Sequence, residues 1–316
     1  MNKIIGKPLD RVDGRLKVTG EAPYTADVPI ENLTYGVIFQ SAIASGKIIQ
    51  IDASAAAVAP GVLDVVTHQQ TPSLVKIPFP ITGNSMTVAS VSPAVYKAVI
   101  AARDKIIKMA IEDANSLLYG SQAEDITVES GEIFLKQDPS KRDRYTDILR
   151  RHGLESLEVT EESSLKPESQ EYAKHSFGAI FIEVAVDELL GEIKVRRCVG
   201  VYGAGRILNF KTARSQVIGG ITWGIGMALM EKTVMDANQG RIVGANLSDY
   251  LIPVHADIPN MEVQFIEERD PYVNALGTKS LGELPIVGLA AAISNAVYHA
   301  TGKRIRDLPI TPDKLL

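Results

Sequence analysis

Cysteine and tryptophan are nearly absent from this chain of 316 residues, which has one of each. The single cysteine, Cys198, excludes an intramolecular disulfide and any cysteine-rich metal or iron–sulfur site in the chain. If the protein carries out redox chemistry, its electrons must therefore leave through another polypeptide.

Basic clusters and membrane-length apolar runs are also missing. The formal net charge is -5, and no run of Lys or Arg is interleaved with aromatic residues, so we expect no nucleic-acid partner. No apolar run approaches the roughly 20 residues that a membrane helix needs. The first residues, MNKIIGKPLDRVDGR, show neither a signal-peptide apolar region nor a twin-arginine pair. We therefore expect no membrane association and a cytoplasmic location.

Metal-ligand and nucleophile motifs are likewise not found. The five histidines show no paired metal spacing: His68, His152, His175, His255 and His299. No serine lies in a nucleophile-elbow pattern, and the glycines beside Arg206 have neither dinucleotide-binding nor phosphate-loop spacing. Hydrolase, zinc and nucleotide functions are therefore disfavoured.

Composition and periodicity favour a globular α+β protein of two domains, or one domain with an appendage. With 45% hydrophobic and 22% charged residues, the chain can bury a substantial core. Short β-like runs at Tyr35–Gln40 and Val62–Thr67 predict a small α+β unit. An amphipathic helix is predicted to begin with Ser92 as cap and Pro93 in the first turn, and to end near Asn115.

Two hairpins are predicted beyond that helix. The first joins Ile126–Glu129 to Glu132–Leu135 through a Ser-Gly turn. A polar tract, Glu155–Lys174, is predicted to be an exposed connector. The second, longer hairpin joins Phe177–Val186 to Ile193–Tyr202.

Residues 203–230 combine a loop with a predicted helix that carries four glycines: Gly219, Gly220, Gly224 and Gly226. Each glycine in a helix costs roughly 1 kcal/mol relative to alanine, so a close contact must compensate. Tight packing against another element and close approach of a ligand both fit this pattern, and the sequence leaves the two open.

The stretch LGTKSLGELPIVG (276–288) holds one carboxylate, Glu283, between glycines and a proline, just before an apolar helix. Gly277 and Gly282 allow the backbone to approach a bulky ligand, and Pro285 stiffens the entry to the helix. The alternative is an ordinary solvated turn. The loop GNSMTVAS (83–90) has small residues whose backbone could line a cavity, although such loops are common ahead of helices.

Five collinear blocks then cover nearly the whole chain: Arg11–Pro29 (RVDGRLKVTGEAPYTADVP), GNSMTVAS, Gly205–Leu229 (GRILNFKTARSQVIGGITWGIGMAL), Leu247–Val263 (LSDYLIPVHADIPNMEV) and Leu276–Leu316. Together they resemble the molybdopterin-binding large subunit of the xanthine dehydrogenase and aldehyde oxidase family. The resemblance implies a partial α/β-hammerhead region over residues 1–80 and the second molybdenum-cofactor-binding domain over residues 81–316.

The resemblance also implies roles for single residues. Glu283 matches the catalytic glutamate, a general base toward a hydroxyl on molybdenum while hydride passes from the substrate to a sulfido ligand. Gln216 matches the glutamine that hydrogen-bonds the pterin, and Gly282 adjoins the base in the cofactor site. The backbone that lies against the pterin and the molybdenum centre matches Thr87, Val88, Ala89 and Ser90, with Ala89 at the metal.

Parts of the family pattern are missing. Near Pro80 the hammerhead-like region runs straight into the GNSMTVAS loop, so the rest of the hammerhead and the whole first cofactor-binding domain have no counterpart in this chain. Gly203 stands where the family often has aspartate, and Asn84 stands where glycine is frequent. Half of the cofactor site is therefore expected in this chain.

Three interpretations follow. The chain is one piece of a split hydroxylase whose partner supplies the missing domain, which predicts exposed apolar surface near residues 75–90 and along the strands. Alternatively it is a shortened, inactive relative that acts alone or by self-association as a structural or interaction protein, or it is an internally deleted gene product. The first interpretation implies molybdenum-molybdopterin, an iron–sulfur subunit and, in some assemblies, an FAD subunit. Substrate and the cytosine-dinucleotide form of the pterin stay open.

Overall fold

The computed structural model describes residues 4–39, 43, 46–67, 83–163 and 171–316. The helices in these ranges are α1 (Gly14–Thr19), α2 (Ser54–Ala57), α3 (Thr87–Glu112), α4 (Tyr145–Arg151), α5 (Phe210–Leu229), α6 (Leu284–Val287) and α7 (Leu289–Thr301). The strands are β1 (Ile126–Glu129), β2 (Glu132–Leu135), β3 (Arg142–Arg144), β4 (Phe177–Val186), β5 (Ile193–Gly203), β6 (Val234–Asp236), β7 (Arg241–Val243) and β8 (Asn260–Phe265).

The smaller core lies between α3, α4 and an antiparallel sheet of order β1-β2-β3. The hairpin of β1 and β2 is confirmed with its predicted bounds. Its turn places Ser130 at φ 54° and Gly131 at φ 83°, the left-handed conformations that a two-residue hairpin turn requires. Seven residues form the buried centre: Ile106, Ile107, Ala110, Leu118, Ile126, Ile133 and Ile148.

The larger core is built on a sheet of order β4-β5-β8. The predicted long hairpin is confirmed, with β5 one residue longer than expected and a register shift between Glu183 and Val184. Strand β8 pairs parallel to β5, and the crossover between them contains α5. Helix α5 begins where Asn209 caps it, because the Asn209 side chain accepts from the backbone N–H groups of Lys211 and Thr212.

Helices α5 and α7 pack against this sheet and against each other. The fully buried side chains at their contact include Val217, Ile221, Leu289, Ile293 and Val297. The stretch Leu284–Thr301 is apolar enough to cross a membrane by length and composition, with a mean hydropathy of 1.2 over 18 residues and 22% burial. The stretch comprises α6, Gly288 and α7, and its buried residues are Pro285, Leu289, Ile293 and Val297.

The start of α3 differs from the prediction. The helix begins at Thr87 rather than at Ser92, so Pro93 lies inside it rather than in its first turn. A proline has no N–H to donate to the carbonyl four residues earlier, which is that of Ala89. This carbonyl has a side-chain donor outside the helix, as described below.

The two predicted N-terminal strands are wrong where the structure describes them. Residues 35–39 and 62–67 are not in strands, and Val37 and Phe39 are almost fully exposed. A β-run becomes a strand only when a neighbouring strand satisfies its backbone groups, and none of the described residues supplies one here. Gln40 and the predicted junction near Pro80 lie outside the described residues, as does part of the predicted Glu155–Lys174 connector.

The glycines of α5 are explained mainly by packing. A Cβ on Gly220 would lie 2.9 Å from Pro285 Cβ, and a Cβ on Gly224 would lie 2.4 Å from Leu289 Cδ2. Both glycines therefore let α6 and α7 approach closely. Gly219 differs, because a Cβ there would meet no atom within 4 Å. Of these three glycines, only Gly219 leaves the ligand explanation open.

This difference gives a paired stability test. Gly224→Ala should destabilise the chain by about 1–3 kcal/mol, because it overpacks the contact with Leu289. Gly219→Ala should be neutral or stabilising by up to about 1 kcal/mol, since alanine is the better helix former and the space is open. Urea unfolding of the two variants measures both effects, and equal midpoints would contradict the packing role of Gly224.

Candidate functional site

A cavity of about 660 Å³ lies between the start of α3, the loop after β5 and the first half of α5. Its lining brings together three residues that the sequence assigned to one ligand, namely Thr87, Val88 and Gln216. Other polar lining groups come from segments distant in sequence: Arg11, Ser85, Arg206, Asn209 and Lys279. The cavity is therefore the candidate site.

Gln216 lies on α5 beside the cavity. Its side-chain Nε2 donates to Ser85 Oγ at 2.6 Å, and Ser85 itself has a left-handed φ of 56°. This bond uses the nitrogen of the amide and leaves its carbonyl oxygen as an acceptor for another group. One turn further along α5, Gly219 adds open space where any side chain would project.

Thr87, Val88, Ala89 and Ser90 form the first turn of α3 rather than a loop, which corrects the sequence prediction. The N–H groups of Ala89 and Ser90 donate to Met86 O, and Ser90 Oγ donates to the same carbonyl at 2.8 Å. The first N–H groups of a helix have no partner within it, and its dipole favours negative charge there. The start of α3 thus offers donors to the cavity, at Thr87 and Val88.

Two carbonyls of that same turn accept hydrogen bonds from side chains of the segment 274–278. Thr278 is fully buried, and its Oγ1 donates to Val88 O at 2.7 Å. Asn274 Nδ2 donates to Thr278 O at 2.7 Å and to Ala89 O at 3.4 Å. The carbonyl that Pro93 deprives of its helical donor is therefore the one that Asn274 contacts.

Lys279, the residue after Thr278, lies in a buried cluster of charged side chains. The Lys279 side chain is 5% exposed, and its ammonium pairs with Glu268 and, at 3.1 Å, with Asp270. Glu268 Oε2 also accepts from the backbone N–H of Gly205 at 2.9 Å. We call Lys279, Glu268 and Asp270 the Lys279 clamp.

Opposing effects set the protonation of this clamp. Burial by itself would lower the pKa of Lys279, but the hydrogen bonds and charges of Glu268 and Asp270 outweigh burial and raise it. Burial by itself would raise the pKa of Asp270, but the N–H groups of Tyr272 and Val273 and the Lys279 ammonium lower it overall. The charged forms of Lys279 and Asp270 are therefore favoured at neutral pH.

Glu283 lies apart from the large cavity. It directly precedes α6, is exposed, and lines a smaller cleft of about 330 Å³ with Lys174, His175, Ser176 and Ser280. The enclosure expected for a catalytic base is therefore not formed by the residues that the structure describes. Gly282 separates Glu283 from Leu281, which does line the large cavity. The segment 279–283 thus borders both spaces: Lys279 and Leu281 line the large cavity, and Ser280 and Glu283 line the cleft.

Nothing in the described part of the chain groups three His, Cys, Asp or Glu side chains as a metal site. Ala89, which the resemblance places at the metal, has no side-chain ligand, and its backbone groups contact Met86 and Asn274. A metal here would have to be held through a cofactor. The assignment of Ala89 stays a prediction.

Several site residues were missed from the sequence. Asn274, Thr278 and the Lys279 clamp fix the segment before Glu283, yet polar residues between glycines look like an exposed turn. One signal was available, since Pro93 within a helical pattern frees the carbonyl of Ala89 and calls for another donor.

The fold and the cavity together define one side of a ligand site on a two-core α+β chain. Residues 47–259 match the family model described as "Molybdopterin cofactor-binding domain". The chain therefore belongs to the molybdopterin cofactor-binding domain family, as do the molybdenum-binding subunits of the xanthine dehydrogenase and aldehyde oxidoreductase type.

Two relatives illustrate this membership. The aldehyde oxidoreductase molybdenum-binding subunit of Escherichia coli (strain K12) is 52% identical over 148 residues, which are 47% of this chain and 20% of the relative. The xanthine dehydrogenase molybdenum-binding subunit of Escherichia coli O157:H7 is 37% identical over 229 residues, 71% of this chain and 29% of the relative. The chain thus matches less than a third of the length of either relative.

Solved structures show the same fold at lower identity. The reconstituted CO dehydrogenase from Oligotropha carboxidovorans has a TM-score of 0.60 and 22% identity, over 74% of this chain and 29% of that one. Quinoline 2-oxidoreductase from Pseudomonas putida 86 has a TM-score of 0.54 and 23% identity, over 69% and 28%. The α+β architecture is therefore that of molybdenum hydroxylase large subunits.

The described residues fit one side of a molybdopterin. Gln216 keeps an amide oxygen that can accept from a pterin N–H. The helix start and Arg206 line the same cavity and suit the negative charge of a phosphate, whereas the Arg11 guanidinium, also at the cavity, pairs with Asp13. The donor set matches the group that the family binds.

The clamp predicts a pH dependence of stability. Because the pKa of Asp270 is lowered by folding, its stabilisation is present above its ordinary pKa of 3.8 and is lost as the pH falls below it. Urea unfolding between about pH 5 and pH 3 should therefore show a smaller acid loss for Asp270→Asn than for the wild type. Asp307→Asn, at an exposed position, serves as control, and an Asp270→Asn profile parallel to that of the wild type would contradict this account.

Proposed function

We propose that this chain is the part of a molybdenum hydroxylase large subunit that supplies one side of the molybdopterin site and its catalytic base. The reaction is oxidative hydroxylation of an aldehyde or an N-heterocycle with water as the oxygen source, and it needs a partner chain for the missing cofactor-binding domain. The observation that carries the proposal is the cavity of about 660 Å³ at which Thr87, Val88 and Gln216 meet.

Each residue has a role in this proposal. Gln216 binds the pterin through its amide oxygen, and the first turn of α3 places Thr87, Val88, Ala89 and Ser90 against the cofactor. The bound cofactor supplies the oxygen transfer and takes up two electrons from the substrate. Glu283 accepts the proton as general base, next to Gly282, whose lack of a side chain lets the cofactor come close.

The exposed surface supports the need for a partner. Phe177 and Phe181 on β4 are more than half exposed, so the predicted apolar surface along the strands is confirmed. Near the start of α3, Met86 is also exposed, whereas residues 75–82 lie outside the described part of the chain.

A partner would also complete the environment of Glu283. The base must be shielded from water so that it accepts a proton from the reacting group rather than from solvent. Glu283 now borders an open cleft, so a covering chain is the element that would enclose it. Electrons then pass to an iron–sulfur subunit, with or without an FAD subunit, because the only cysteine, Cys198, is buried in the core.

The exposure of Glu283 favours one alternative function. A shortened, inactive relative would keep the fold and its apolar surface for self-association or for binding another protein, without enclosing the base. The two functions differ in whether a molybdopterin binds and whether Glu283 is needed.

Substitution of the base separates them. In the assembled complex, Glu283→Gln should lower turnover of the aldehyde or heterocycle by about 10²- to 10⁴-fold, because the amide cannot accept the proton. Cofactor content should stay at the wild-type value, and Glu188→Gln, an exposed residue in the turn between β4 and β5, should leave turnover unchanged. Steady-state kinetics on both variants give the answer. Full activity in Glu283→Gln would rule out the proposed base.

A further inference from the structure

We propose that Lys279 is a positioning residue. Through the Lys279 clamp it fixes the segment Gly277–Glu283 in one register, so that the carboxylate of Glu283 and the first turn of α3 are presented to the same ligand. This inference rests on the proposed function for the identity of the ligand. The role of Lys279 in ordering the segment does not depend on the proposed function and can be measured in the chain alone.

The backbones of residues 204–206 and 277–279 lie in close contact beside the clamp. Arg206 N donates to Gly277 O at 2.7 Å, and Lys279 N donates to Ala204 O at 3.1 Å. Gly205 lies at the centre with φ 65°, and a Cβ there would lie 2.4 Å from Gly277 O and 3.1 Å from Lys279 Cγ. The contact therefore has only two backbone hydrogen bonds and needs further support to keep its register.

The clamp supplies that support. Glu268 accepts from Gly205 N with one oxygen and from the Lys279 ammonium with the other, so a single side chain ties both segments together. Asp270 holds the ammonium from a second direction while accepting from Tyr272 N and Val273 N. Without the ammonium, two carboxylates of like charge would remain close together with no counter-charge between them.

Lys279 and its neighbour are fixed on opposite sides of an extended stretch. Successive side chains of extended backbone point to opposite faces. Thr278 bonds Val88 O in α3, and Lys279 reaches the carboxylates behind the loop after β5. The segment is thereby held between the two regions that form the cavity, four residues before Glu283.

A purely stabilising ion pair would act differently. It would add to the global stability of the larger core and leave the order of residues 276–283 unchanged relative to that core. A positioning residue controls this segment locally, where its backbone pairs with the loop after β5 through two hydrogen bonds around Gly205. Asn274 and Ser176 also bond the backbone of the segment, at Thr278 and Ser280, but neither ties it to that loop. Local and global effects can be separated by amide hydrogen exchange.

The test uses the purified full chain with Lys279→Met, Lys279→Arg and the control Lys194→Met, which removes an exposed ion pair with Glu192. In Lys279→Met, the amides of residues 203–206 and 276–283 should exchange about tenfold faster or more, whereas those of β4 and α7 in the same core keep the wild-type rate. Lys279→Arg retains the charge and should restore part of the protection. Lys194→Met should match the wild type.

A second readout uses the assembled complex. Lys279→Met should lower kcat with molybdenum content and KM close to the wild-type values, because the base is misplaced while the cofactor and the substrate still bind. If Lys279→Met does not fold, Glu268→Gln replaces it, since this change keeps an oxygen for Gly205 N while removing the charge that faces the ammonium. Glu268→Gln should increase amide exchange at the same residues as Lys279→Met, but by a smaller factor.

The outcomes separate the two proposals. Wild-type exchange at 276–283 in Lys279→Met, or an equal increase throughout the larger core, would overturn the positioning role. A wild-type complex without cofactor or turnover would overturn the proposed function, and the exchange data would still decide the role of Lys279.

Discussion

The candidate site depends on one extended stretch, Gly277–Lys279, held on both sides. On one side its backbone meets Gly205 and its lysine enters a buried pair of carboxylates. On the other side Thr278 and Asn274 bond the carbonyls of Val88 and Ala89. Because the loop after β5, the start of α3 and the approach to Glu283 all meet here, the shape of the cavity follows from this one junction.

Residues without a side chain or without a backbone donor make the junction possible. Gly205 allows two backbone segments to approach where a Cβ would collide with Gly277 O. Pro93 frees the carbonyl of Ala89, which Asn274 then contacts. Gly220 and Gly224 let α6 and α7 lie against α5, and this places the segment that carries Glu283 beside the helix that carries Gln216. Small changes in these positions would move parts of the site that are far apart in sequence.

The sequence predicts the locally determined parts of this structure well. The hairpin of β1 and β2 follows from a Ser-Gly turn between apolar runs, and the bounds of β4 follow from the length of its own β-run. The sequence also indicated Gln216 and the residues from Thr87 to Ser90 through their resemblance to a known family. Their convergence on one cavity is a property of the fold that the local pattern alone does not contain.

Non-local features were predicted less well. The start of α3 was misplaced because Pro93 favours a first turn, whereas in the structure it lies inside the helix and the carbonyl of Ala89 accepts from Asn274. The run Tyr35–Gln40 has strand-like composition, but strand formation depends on a partner that the described residues do not provide. The burial of Lys279 does not follow from its local pattern, because it depends on Glu268 and Asp270, which lie 9 to 11 residues earlier.

The central claim is that this chain forms one side of a molybdopterin site and that a partner chain forms the other side. The most direct measurement is the molybdenum and pterin content of the native chain purified gently from its source, with co-purifying proteins identified by mass spectrometry. The account predicts near-stoichiometric molybdenum and pterin together with a partner that carries the missing cofactor-binding domain. A chain that purifies without metal, pterin or partner would contradict it.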